Sequence, residues 1–111
     1  MTIETPFTIS ESDKAMMESR INDLNKYESR ITQVNVFFKK DDGSNMDDVS
    51  AEIRIRVPGN DIFVGHSDRD ALVAFSKAYS SAKRQVKKRR DMLNDHHSNV
   101  REINEIVNNT Y

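Results

Sequence analysis

Residues 77–90 read KAYSSAKRQVKKRR, with Lys or Arg at seven of fourteen positions and no Asp or Glu. The chemistry open to such a stretch is electrostatic capture of an anion, phosphates above all. The full chain has 111 residues, 17 basic and 18 acidic, with net charge −1. Affinity for an anionic partner must therefore come from charge asymmetry rather than from net charge. At 100° per residue, Phe75, Tyr79, Ala82 and Val86 share one side of a helix. Lys77, Arg84 and Lys88 lie opposite, and Lys83, Lys87 and Arg90 widen that band, with Arg89 nearer the apolar edge. A merely solvated helix face mixes signs, because Glu–Lys pairs at i,i+4 help it and like charges cost. Cations do favour a helix C-terminus, but only within the last turn. The pattern favours a nucleic-acid partner over a solvated face. There is no zinc-finger spacing, RRM aromatic motif or GxxG clamp. A basic helix can instead follow the shape of structured RNA through phosphate and 2′-OH contacts.

Other reactive residue types carry less. No Cys is present, which excludes disulfides, thiol chemistry and Cys-based zinc sites. Asp41, Asp42, Asp47 and Asp48 flank Gly43 but lack the alternating order of a calcium loop, and read as a solvated hairpin. His66 ends a strand on the side that faces the helices and reads as structural. His96 and His97 are adjacent and point apart, a poor chelating pair. With three Gly, no phosphate loop and no Ser–His–Asp order, neither an enzyme nor a cofactor nor a small-molecule substrate is expected. Phe37 and Phe63 fall on the sheet face away from the helices, near Arg54 and Arg56. Aromatics interleaved with Arg can stack on bases, but cross-strand pairing that stabilises an exposed sheet is the favoured reading.

The elements that must position the basic stretch follow from periodicity. MTIETPF (1–7) supplies a short strand ended by Pro6. Ser10 and Asp13 resemble a capping box, and Met17, Ile21, Leu24 and Tyr27 have helical spacing, which predicts a helix over about 10–27. ITQVNVFFKK (31–40) and VSAEIRIRV (49–57) alternate as strands, separated by the loop DDGSNMDD (41–48). PGND (58–61) is a turn and IFVGH (62–66) a short strand. Ser67 and Asp70 suggest a second capping box that opens a long helix over about 68–93. Residues 95–111, with four apolar side chains at helical spacing, bury too little to order themselves and read as a mobile or weakly helical tail.

Three strands joined by short loops favour antiparallel pairing, and the clean alternation at 49–57 buries one sheet face only. The expected architecture is a two-layer α+β sandwich, β-α-β-β-β-α, with a four-stranded sheet and both helices on one face. One domain over 1–94 and a tail over 95–111 fit the length. The N-terminus has neither a basic nor an apolar leader region, so no signal peptide is expected. No run approaches the ~18 apolar residues of a membrane span. A cytoplasmic protein without a membrane partner, monomeric when free, is the expectation.

Taken in order, these segments resemble the ribosome hibernation-promoting factor family, the ribosome-associated translation inhibitors of the sigma-54 modulation group, in its short form. ISESDKAMMESRINDLNKY (9–27) is similar to the family's first helix, RITQVNVFF (30–38) to its second strand and AEIRIRVPGNDIFV (51–64) to its central hairpin. DALVAFSKAYSSAKRQVKK (70–88) resembles its second helix, with Arg84-Gln85-Val86 before a basic run. The resemblance implies a fold similar to double-stranded-RNA-binding domains. It also implies binding to small-subunit rRNA in the mRNA/tRNA channel and idling of ribosomes under stress or in stationary phase. Carried onto this sequence, it implies rRNA contacts at Lys77, Lys83, Arg84, Lys87, Lys88 and Arg90, and at Arg20 and Lys26 of the first helix. In relatives the position of Lys77 is often apolar, and the first helix is often richer in Lys. A tail of this length implies that single ribosomes are silenced without being paired. The reading from another class is a protein-interaction module whose basic helix meets an acidic protein.

Overall fold

Ser10 starts the first helix: its Oγ accepts the backbone N–H of Asp13 at 3.1 Å, which satisfies one of the orphan donors of a helix start. A computed structural model describes residues 1–40 and 48–99. It gives β1 (Thr2–Glu4), α1 (Glu11–Asp23), β2 (Gln33–Lys40), β3 (Val49–Arg56), β4 (Ile62–Asp68) and α2 (Ala71–Asn99). A 3-10 turn over Leu24–Lys26 continues α1. The order β-α-β-β-β-α is the expected one.

The sheet runs β1-β2-β3-β4. β2, β3 and β4 are antiparallel neighbours, with Val36 opposite Ile53 and Ile53 opposite Val64. β1 lies parallel to β2, Ile3 beside Val36, as the intervening α1 crossover requires. The sheet is therefore mixed. One face carries Val34, Val36, Phe38, Ala51, Ile53 and Ile55, and Met17, Ile21, Leu24, Phe75, Ala78, Tyr79, Ala82 and Val86 close over it in one buried cluster. Both helices thus cover the same face. Ala74 is fully buried as well, whereas Leu72 is half-buried.

Four boundaries differ from expectation. β1 stops at Glu4, two residues before Pro6, because Thr5 Oγ1 accepts the N–H of Phe7 at 3.2 Å and turns the chain. β4 extends to Asp68, so Ser67 is a strand residue whose hydroxyl meets that of Ser50 at 3.0 Å. The cap of α2 is therefore Asp70 alone, its Oδ1 accepting the N–H of Leu72 at 2.8 Å and of Val73 at 3.4 Å. α2 continues to Asn99, past the expected end near 93 and into the segment read as a tail. Asp41, Asp42 and Asp47 of the acidic loop, and residues 100–111, lie outside the described residues.

Candidate nucleic-acid interface

The seven cations of residues 77–90 do not form one band; their surroundings divide them. Lys77 donates to Asp68 Oδ1 at 3.0 Å. The backbone N–H of Asp70 and then this ammonium hold the Asp68 carboxyl below the usual carboxylate range. Arg89 is a strap: it donates to the carbonyl oxygens of Pro58, at 2.7 Å, and of Asn60. Gly59 between them has φ +93, and a Cβ there would sit 2.5 Å from the Arg89 guanidinium. The turn at 58–61 and α2 are thereby locked together, which fits the place of Arg89 near the apolar edge.

Lys83, Lys87 and Arg90 occupy the flank of α2 that faces α1. Lys83 Nζ lies 5.5 Å, Lys87 Nζ 5.2 Å and Arg90 Cζ 5.9 Å from the centroid of the Tyr27 ring. Cation–π contacts at partly exposed sites contribute roughly 0.5–1 kcal/mol each. Arg90 also donates to Asp91 Oδ1 at 3.0 Å. Beside Tyr27 the Glu28 carboxylate, only 7% exposed, takes three bonds from Arg30: N and Nε to Oε2 at 2.9 Å each, and Nη2 to Oε1 at 2.8 Å. Arg30 side-chain hydrogen bonding outweighs the cost of burial and, with the nearby Arg89 charge, lowers the Glu28 pKa to about 2. The Arg30 side chain itself is half exposed. On α1, Arg20 lies 5.9 Å from the Tyr79 ring centroid, and Lys26 pairs with Asp23 at 3.6 Å.

Arg84 and Lys88 occupy the other flank, toward β4. Arg84 touches Ser81 Oγ at 3.3 Å, and neither cation has an acidic partner among the described residues. Lys88 also lines an open groove of about 610 Å³ with Asn60, Asp61, Ile62, Phe63, Gln85 and Arg89. Along the same flank His66 Nε2 meets Ser81 Oγ at 2.7 Å, tying β4 to α2, on the helix-facing side as expected.

On the outer sheet face Phe63 is 59% exposed. The register sets it opposite Arg54, and sets Phe37 opposite Glu52. The two rings are not partners of each other. Arg54 instead reaches Asp61 Oδ2 through Nε at 3.1 Å and Nη2 at 3.0 Å. No group of three metal-ligating side chains occurs among the described residues. The backbone at His96 and His97 is helical.

The sequence-predicted residues are thus split: Lys83, Lys87 and Arg90 converge on one ring, Arg84 and Lys88 face outward, and Lys77, Arg20 and Lys26 make contacts within the domain. Sequence reasoning missed Glu28, Arg30 and the role of Tyr27. The only signal for them was the short E-x-R step after the helix, which has no periodicity. No helix among the described residues is long and apolar enough to cross a membrane.

Residues 5–94 match the family described as sigma 54 modulation protein / S30EA ribosomal protein. No curated protein matches the chain. Two solved structures share the fold. The Protein Y N-terminal domain of Thermus thermophilus aligns with TM-score 0.65 and 20% identity, over 78% of this chain and 93% of that one. A ribosomal subunit interface protein from Coxiella burnetii aligns with TM-score 0.68 and 14% identity, over 82% and 99%.

Proposed function

The chain belongs to the sigma 54 modulation protein / S30EA ribosomal protein family, and on that premise we propose that it is a ribosome-associated translation inhibitor. It binds small-subunit rRNA in the mRNA/tRNA channel and idles ribosomes under stress or in stationary phase. Lys83, Lys87 and Arg90 contact phosphates from the α1-facing flank of α2, and Arg84 and Lys88 from the outer flank. Arg20, Lys26 and Lys77 extend the contact, the last two by exchanging an internal carboxylate for a phosphate. The domain over 1–94 carries the activity as a cytoplasmic monomer, with no cofactor and no catalytic step.

One observation carries the proposal: three cations of an acid-free helical stretch converge on a single ring, in a chain of net charge −1. Of the three only Arg90 has an acidic partner, Asp91 at 3.0 Å, so like charges drawn together here are left largely uncompensated and await an anion. The shared fold with a protein described as a ribosomal subunit interface protein supports this partner. The test is sucrose-gradient sedimentation of stationary-phase lysate. The protein is expected with the small subunit and whole ribosomes, released as salt is raised. Absence from all ribosomal fractions rejects the proposal and favours an acidic protein partner.

A further inference from the structure

Tyr27 sits where the 3-10 turn ends, and its position is fixed by backbone on both sides. Its N–H and that of Glu28 donate to the Leu24 carbonyl at 3.0 and 3.1 Å, and the next residues are clamped by the Glu28–Arg30 bonds. The ring is half-buried and packs on the core edge without joining it. Lys83, Lys87 and Arg90 recur at i, i+4 and i+7, so one face of α2 brings them to this ring. Each charge centre lies 5.2–5.9 Å from the centroid, so any two are within about 12 Å of one another. That is comparable to the ~8 Å Debye length at physiological salt, and their repulsion is only partly screened. Left alone, flexible Lys and Arg side chains would splay apart. Arg90 is held by Asp91 as well, at 3.0 Å, and the negative face of the Tyr27 ring is the contact that all three cations share.

We infer that Tyr27 is a positioning residue, which gathers Lys83, Lys87 and Arg90 into one preorganised phosphate-binding cluster. The inference rests on the RNA-binding reading above and adds to it a division of labour. The inner cations act as a unit held by Tyr27, and the outer pair, Arg84 and Lys88, acts independently of it. Preorganisation matters because ordering each long side chain at the moment of binding costs affinity.

The test uses the full chain in two measurements. First, protons on the Lys83 and Lys87 ε-carbons are read by NMR in the free protein. Ring-current upfield shifts are expected in the wild type and in Tyr27→Phe, and are expected to vanish in Tyr27→Leu, which keeps an apolar side chain on the core edge. Unshifted protons in the wild type overturn the inference without any ribosome. Second, binding to purified small subunits is measured at fixed salt. Tyr27→Phe should bind within twofold of wild type, and Tyr27→Leu roughly tenfold more weakly with unchanged circular dichroism. In the Tyr27→Leu background, Lys87→Ala should cost less than it does in the wild type, whereas Arg84→Ala should cost the same in both. A merely structural role for Tyr27 would weaken both cations alike. Equal costs for Lys87→Ala in the two backgrounds, or wild-type binding by Tyr27→Leu, overturn the inference and leave the ribosome reading standing. Failure of the wild type to bind small subunits defeats both.

Discussion

Replacing Glu28 by Gln probes the clamp that holds Tyr27 and the start of β2 in place. The carboxylate titrates near pH 2 in the fold against an ordinary value of 4.5. At 1.36 kcal/mol per pH unit this difference corresponds to roughly 3 kcal/mol. The partner side chain of Arg30 is 51% exposed, so solvent screening reduces the contribution to about 1–2 kcal/mol. The sign follows from the direction of the shift. A depressed folded pKa gives stability that is complete above pH 4.5, where both states are ionised. It declines as pH falls through the interval from 4.5 to 2, because the unfolded chain takes up the proton first. Other carboxylates, such as Asp68, titrate in both proteins and cancel in the difference. Glu28→Gln should therefore lower Tm by roughly 4–8 °C at pH 7. The gap to wild type should shrink steadily between pH 4.5 and 2. Denaturation followed by circular dichroism at pH 7, 5, 4, 3 and 2 measures it. Equal stability at pH 7 would refute the clamp, and a gap that stays constant to pH 2 would show that it is not electrostatic.

Lys87→Ala should reduce the magnitude of the salt slope, log K against log salt, by about one unit, since each neutralised phosphate contributes about 0.9. Titration of small subunits at several salt concentrations reads this, and an unchanged slope removes Lys87 from the contacts. Asp70→Ala should destabilise the domain by about 1 kcal/mol through loss of the α2 cap, whereas Ser67→Ala should cost less than half of that. Urea denaturation of the two variants decides, and equal effects would return Ser67 to the cap.

The layers and the strand order were legible because alternation and 3.6-residue spacing are sustained over whole elements. The stripe from Phe75 to Val86 and the strand from Val49 to Val57 have no competing reading. The helix start was misplaced by a local ambiguity. Ser67 and Asp70 both suit a cap, and only the pairing of Ser67 with Ser50 across β3 and β4 decides between them, a contact seventeen residues apart. The extension of α2 to Asn99 was obscured for a related reason: residues past 93 lack a strong apolar stripe, and periodicity cannot mark a helix that has little to bury.

The division of the basic residues was illegible for a different physical reason. A helical wheel gives the angle between side chains on one element, and it did separate Arg89 from the rest. It does not say what stands opposite each sector. Lys83 and Arg84 are sequence neighbours of the same charge class, yet one meets Tyr27 and the other faces outward beside Ser81. Tyr27 itself was visible as the last member of an apolar stripe, where an aromatic is ordinarily read as core. Its hydroxyl-bearing ring ends up half-buried, at the end of the 3-10 turn and beside the cations of α2. Charge class is therefore carried by the sequence of one helix. The arrangement of those charges is set between two elements, around a ring fifty-six positions before the first cation beside it. A contact of that kind follows from the packing of the whole domain rather than from any local pattern.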